Sequence, residues 1–398
     1  MGFASGSVSF KRFAVVGNKL PARPDEKLLE KLDELALRPG EIGVPEEIEY
    51  GWSGGRHVFD ATFSFEHNVY NDALHFALRV DTNKVPGELK KAWQAMEEDA
   101  AAKGNPSGFI SKNQKKDVKD AIRKKAEDEL RTGRFRRSKL VPLLWDFPTQ
   151  TVYAAVGGKR QEMLLELFER TFGWSLEPVS AGSLGLSLLE KRQRRREYED
   201  ARPTRFAIGP EGENVMPEYP WVAKGPEPKD FLGNEFLLWL IHEADARTGN
   251  VVTDAAGEVT VMIDRSLDLD CAYGLTGKDT LRGDGPSRMP EAKDAFRSGK
   301  LPRKAGVLMI ANGQQYEFAW NPETFAFAST KLPEVEGAEN PRVLFEERVA
   351  MLRDFCKAAD GLFDAFLKVR STGGWEGHTN TLRRWIASPM KQPVAAVA

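Results

Sequence analysis

Cysteine is scarce in this chain: 398 residues hold only two, Cys271 and Cys356, far apart and each among apolar neighbours. That excludes a disulfide framework and reads as two reduced core residues of a cytoplasmic protein. Long hydrophobic runs are missing too. The richest, residues 236–241, is far too short to cross a bilayer, so no membrane partner is expected. No apolar stretch follows a basic start, so no signal peptide is expected. Gly6 stands where a myristoylation pattern starting at Gly2 needs Ser or Thr. Nor does one sign of charge dominate. With 57 basic and 59 acidic residues the net charge is −2, so whether the chain meets a polyanion depends on how its cations cluster.

Histidine is rare as well, with five in the chain. His242-Glu243 follows an apolar segment, but no second histidine stands four residues on, and the zinc-protease pattern fails. His57, His67 and His75 are close in sequence, yet His75 alternates with apolar neighbours as in a sheet. No metal and no other cofactor is expected.

What is present is an ordinary globular balance, 41% apolar and 29% charged, in a chain long enough for two or three domains. Alternation predicts strands at 7–16, 58–65, 73–80, 140–145 and 151–156. Helical spacing predicts helices at 25–37, around Leu164–Phe172, near 233–241, at 290–298 and over 341–369. Between positions 86 and 132 lie two further helices. Pro86 opens the first and the Gly104–Gly108 segment breaks it. Ser111 with Gln114 makes a capping box for the second, and Gly133 ends it. Asn312-Gly313 between two alternating segments predicts a type I′ hairpin. The expected fold is α+β, with mixed or antiparallel sheets, packed helices and a protruding helical hairpin arm. The expected units are 1–180 with the arm inserted at about 86–134, a charged linker at 181–230, a second α+β unit at 231–335 and a C-terminal helical segment at 336–398.

The arm carries the longest basic cluster. Between Lys112 and Lys139 there are twelve basic and five acidic residues. Lys112, Lys115, Lys116, Lys119 and Arg123 recur at helical spacing along one face, apart from Val118, Ala121 and Ile122. Arg134-Phe135-Arg136-Arg137 then sets three guanidinium groups around one ring. Guanidinium groups donate paired hydrogen bonds to phosphate, and lysines attract it through counterion release. A solvated helix face is the competing reading, supported by Asp117, Asp120 and the acids Glu127–Glu129. The arginine cluster favours nucleic acid. A second basic run, Lys191–Arg196, is followed by Glu197, Glu199 and Asp200 and reads as exposed intrahelical ion pairs.

Catalytic patterns are weaker. Asp264, Asp268 and Asp270 could form the carboxylate cluster of a metal-dependent nuclease, or the exposed face of a strand. Glu291-Ala292-Lys293 lies on an expected helix, where the groups diverge. Gly277-Lys278-Asp279-Thr280 lacks the serine or threonine and the glycine spacing of a phosphate loop. No nucleophile–base set stands out, and the chain reads as a binding protein rather than an enzyme. Two alternatives remain beside DNA binding: the nuclease, and a protein-interaction scaffold whose arm is a solvated spacer.

In the order of its landmarks the whole chain resembles the recombination-associated protein RdgC family of bacteria. The N-terminal strand and helix lead to Gly51-Trp52. The strand 73–80 leads through Val85-Pro86 into the lysine-rich arm, which ends in Arg134-Phe135-Arg136-Arg137 and the strand from Leu140. Ser298-Gly299-Lys300-Leu301 then precedes the strand 303–311 and Gln314-Gln315-Tyr316-Glu317-Phe318. The chain is longer than typical members around 190–230 and at its C-terminus. The resemblance implies a homodimer closed into a ring around duplex or single-stranded DNA, bound without sequence preference. It implies functional antagonism with the recombinase RecA and a cytoplasmic, nucleoid-associated protein. Phe135 matches the family's aromatic position at the arm's end, at a ring interface or near DNA, and Lys278 and Arg282 stand near where the family places further basic residues.

Overall fold

Residues 2–38, 47–105, 108–207, 215–222, 227–274, 277–335 and 340–388 are described by the computed structural model. In chain order the elements are β1 (Val8–Val16), α1 (Glu26–Glu34), β2 (Ile48–Ser53), α2 (Phe65–Asn68), β3 (Val69–Tyr70), β4 (Ala73–Asn83), α3 (Gly87–Lys103), α4 (Lys112–Arg131), β5 (Arg136–Asp146), β6 (Thr151–Ala154), α5 (Lys159–Phe172), β7 (Ser175–Pro178), α6 (Ala181–Lys191), α7 (Arg195–Asp200), α8 (Phe231–Ala246), β8 (Asn250–Thr253), β9 (Gly257–Cys271), β10 (Asp279–Gly283), α9 (Pro290–Arg297), β11 (Lys300–Ala311), β12 (Gln314–Asn321), β13 (Ala326–Lys331), α10 (Pro341–Arg370) and α11 (Trp375–Ala387). The strands form one sheet in the order β10-β9-β11-β12-β13-β1-β6-β5-β4-β2, with β3, β7 and β8 paired to β4, β1 and β9. The fold is α+β, and the pairing between these strands is antiparallel. Among the described residues no helix is long and apolar enough to cross a membrane.

Strand β1 joins the two halves, because its side chains alternate between two cores. Val8 and Phe10 enter the larger core, with β8–β13 and the helices α6–α11. Phe13 and Val15 enter the smaller one, under α1 and α5. Arg12 shares the face of Phe10, and its guanidinium grips Asp360 of α10 through two bonds of 2.6 and 2.7 Å. Helix α10 reaches across both halves. Its Phe355 packs edge-on against Phe10 and Phe327, and its Arg353 pairs with the buried Asp146 at the end of β5. Helix α8 is apolar on nearly every side and is buried from Phe231 to Glu243, inside the larger core. Gly233 is required there: a Cβ would stand 2.6 Å from the backbone nitrogen of Glu323.

The expected hairpin is present. Ala311 pairs with Gln314 across Asn312-Gly313, and both turn residues have positive φ, as a type I′ turn requires. The expected strand at 58–65 is not. Residues 54–64 form a loop around Asp60, whose carboxylate accepts from the Arg56 side chain at 3.0 Å and from the Thr62 backbone at 3.2 Å. The alternation there imitates a strand, but a buried carboxylate with donors close in sequence offers the backbone a rival to a ladder. Strand β4 pairs with β2 and β5 instead.

The segment expected to be a charged linker carries α6 and α7. Leu189, Tyr198 and Phe206 from this segment are buried in the larger core, while the charges between them face out. Lys229 closes the segment by donating to the carbonyls of Tyr198, Glu199 and Ala201 at 2.6 to 3.0 Å. The C-terminal segment, with Trp375 and Trp385, adds α11, which lays Leu382 and Ile386 into the same core.

Candidate nucleic-acid interface

Antiparallel strands β4 and β5 stay in register to their last pair, Asn83 with Arg136, and the arm springs from that end as α3 and α4. Its helices are held by little. Val118, Ile122 and Ala126 of α4 are buried, whereas α3 has no fully buried residue. The ammonium of Lys125 lies 4.9 Å from the centre of the Trp93 ring. At the far end the capping box forms as the sequence requires: Ser111 Oγ accepts from the Gln114 backbone, and Gln114 Oε1 accepts from that of Ser111. The Gln114 amide also exchanges hydrogen bonds with that of Asn105, tying the helix ends together.

The charge on α4 runs against its own dipole. Lys112 opens the helix, its first turn holds no acid, and Glu127, Asp128 and Glu129 crowd its C-terminal end. Helix stability favours the reverse, by roughly 0.3–1 kcal/mol for each well-placed exposed charge. The partial positive charge of the helix N-terminus and the lysines therefore add at the far end of the arm.

Lys112, Lys115, Lys116 and Lys119 are all exposed, and none forms an ion pair with a described residue. Arg123 lies on the same face but has Asp120 at 3.3 Å and Glu127 at 3.9 Å. Being largely exposed, such pairs hold only about 0.2–1 kcal/mol and exchange readily.

The arginine cluster at the root divides. Arg134 and Arg137 are exposed without an ion pair among the described residues, and Phe135 is half-buried in the turn between them. Arg136 is committed elsewhere. Its guanidinium stands 2.6 Å from Glu49 and 2.8 Å from Asp81, and Asp81 also holds the buried Arg79. Burial works against ionisation of Asp81, but hydrogen bonds from Arg79, Ser138 and Arg136 outweigh it and keep the carboxylate below its ordinary range. The expected role of Arg136 as a free phosphate contact is therefore replaced by a structural one. With Asn83 Nδ2 donating to the Leu130 carbonyl at 2.9 Å, it fixes the arm to the sheet.

Lys278 and Arg282 are not brought to the arm. They lie just before and within β10, at one end of the strand order, while the arm rises from β4 and β5 near the other. Lys278 is 3.5 Å from Asp270, and Arg282 is exposed.

The carboxylates of the nuclease reading are taken up separately. Asp270 faces Arg303 and Lys278, Asp268 accepts from Thr280, and Asp264 lies beside Arg265. Among the described residues no three His, Cys, Asp or Glu side chains are grouped to hold a metal ion. The arginines of the second basic run are all paired: Arg192 with Asp364, Arg194 with Glu197, Arg195 with Glu190 and Glu199, and Arg196 with Asp200.

No family model matches this chain, and no curated protein matches it.

Proposed function

We propose that the chain binds DNA through the phosphate backbone without reading sequence, its arm laid along the polyanion and Lys112, Lys115, Lys116, Lys119, Arg123, Arg134 and Arg137 as the contacts. The observation that carries this reading is the row of four exposed lysines without acidic partners among the described residues, on a helix whose polarity they oppose. A surface helix selected for stability alone would place acids in its first turn. Departures from local preference of this kind concentrate at functional sites.

The reading extends to a protein of the recombination-associated RdgC type, a two-fold ring that limits RecA-driven strand exchange by occupying DNA. A closed dimer gives the separated cations one purpose, since two arms and two copies of the Lys278–Arg282 edge would then surround a single duplex. Sedimentation of the full chain with and without duplexes of unrelated sequence tests both parts. A dimer that co-sediments equally with each duplex is the expected result. A monomer that sediments apart from all of them at low salt would favour the scaffold reading.

A further inference from the structure

Away from the arm, three arginines from three parts of the chain meet at a hollow of roughly 490 Å³. Arg205 comes from the segment after α7, Arg297 from the end of α9 and Arg383 from α11. Phe206, Ile386 and two alanines supply the apolar part of the wall, and among the described residues no acidic side chain lines it.

Two of the arginines spend most of their donors on carbonyls rather than carboxylates. Arg383 donates through Nε and Nη2 to the carbonyl of Arg205, at 3.0 and 2.7 Å. Arg297 donates to the carbonyls of Ile386 and Ser388, and only its Nη1 meets an acid, the exposed Asp294. The guanidinium of Arg205 bonds to no described residue. A carbonyl satisfies a donor but leaves the positive charge in place. Elsewhere on the surface Arg38, Arg195, Arg265 and Arg342 each have a carboxylate within 3.1 Å. The hollow thus gathers three guanidinium groups that meet one acid, Asp294, among the described residues, beside apolar wall, at a size typical of small-molecule sites.

We infer that this hollow is a second anion site, taking a phosphate monoester carried on an apolar or aromatic body of about one nucleotide. The arginines would clamp the phosphate while Phe206 and Ile386 accept the body. The source is either a free nucleotide or the phosphorylated end of a strand. The site stands apart from the arm and does not depend on the arm's reading.

Calorimetric titration of the full chain with adenosine monophosphate tests it, with adenosine and inorganic phosphate as separate arms. Binding tighter than on the order of 1 mM is expected, with each partial ligand at least about tenfold weaker. Arg205→Gln should weaken adenosine monophosphate about tenfold and leave the melting temperature in place, because no described residue leans on that side chain. Short oligonucleotides with and without a 5′ phosphate distinguish the sources. A preference for the phosphorylated strand over the nucleotide assigns the site to strand ends, and the reverse assigns it to free nucleotide. Absence of binding in the millimolar range overturns the proposal, as does unchanged affinity in Arg205→Gln. In the arm variant Lys115→Gln/Lys116→Gln/Lys119→Gln the nucleotide should bind as before; its loss there would also overturn the assignment.

Discussion

Two runs of basic residues look alike in the sequence and end in opposite electrostatic states. Residues 191–196 hold five cations among six residues, denser than any stretch of the arm. Yet Arg192, Arg194, Arg195 and Arg196 all meet carboxylates, three from acids within five residues and Arg192 from Asp364 on α10. The stripe on α4 is sparser, and its four lysines meet none among the described residues. Cation density is therefore a poor guide to a polyanion site. What decides is whether acids lie at helical spacing, and whether the element packs against the body or stands clear of it. The shorter run lies against α10, whereas α4 touches little besides α3.

The comparison can be broken at several points. The largest effect is expected from Lys115→Gln/Lys116→Gln/Lys119→Gln. Three lost phosphate contacts should weaken duplex binding by about 10²–10³-fold near 0.1 M salt, measured by fluorescence anisotropy. Circular dichroism should show the helices intact. Next comes Arg136→Gln, which leaves Asp81 with Arg79 and Ser138 and should destabilise the fold by about 1–3 kcal/mol in denaturant titration. Its salt dependence of DNA binding should stay close to that of the parent chain; a lower slope would return Arg136 to the interface. The sign of the pH effect follows from Asp81. Its depressed pKa contributes stability that is present above the unfolded value, near 3.9, and lost as pH falls through the folded one. The acid limb of the parent's stability profile should therefore flatten in Arg136→Gln, because one donor holding Asp81 down is gone.

A smaller effect is expected from unmasking the paired run. Glu197→Gln/Glu199→Gln should lower stability only slightly, because these pairs are solvent-exposed. It should raise duplex affinity measurably at low salt, because freed arginines become available to phosphate. No gain would mean that placement beside α10, rather than neutralisation, keeps this run from DNA. The smallest effect comes from charge polarity on α4. Lys112→Glu should stabilise the arm by about 0.3–1 kcal/mol, read as slower amide exchange in its first turns, while weakening DNA binding. Stronger DNA binding by this variant would contradict the account.

Much of this organisation is legible along the chain. The arm, its capping box, the Asn-Gly hairpin and the apolar helix α8 all rest on local signals: spacing, caps and turn residues. The stripe on α4 is legible for the same reason. Most of the misreadings trace to partners remote in sequence. Arg136 reads as part of an arginine cluster because Glu49 and Asp81, which neutralise it, arrive through the register of β2 and β4. The region around Asp60 alternates like a strand, and only the folded loop reveals its carboxylate as the organising group. Leu189, Tyr198 and Phe206 are too widely spaced among charges to announce that 181–230 is packed. The arginine hollow is not legible along the chain, since Arg205, Arg297 and Arg383 converge only in three dimensions.

The central claim is that the unpaired lysines of α4, and not the body's basic residues, grip the phosphate backbone. Its most direct test is the slope of log binding constant against log salt concentration for the full chain and for Lys115→Gln/Lys116→Gln/Lys119→Gln, on one duplex. The account predicts a steep slope in the parent chain and a slope smaller in magnitude by about 3 in the variant, roughly 1 for each contact removed. Equal slopes would place the arm outside the interface and contradict it.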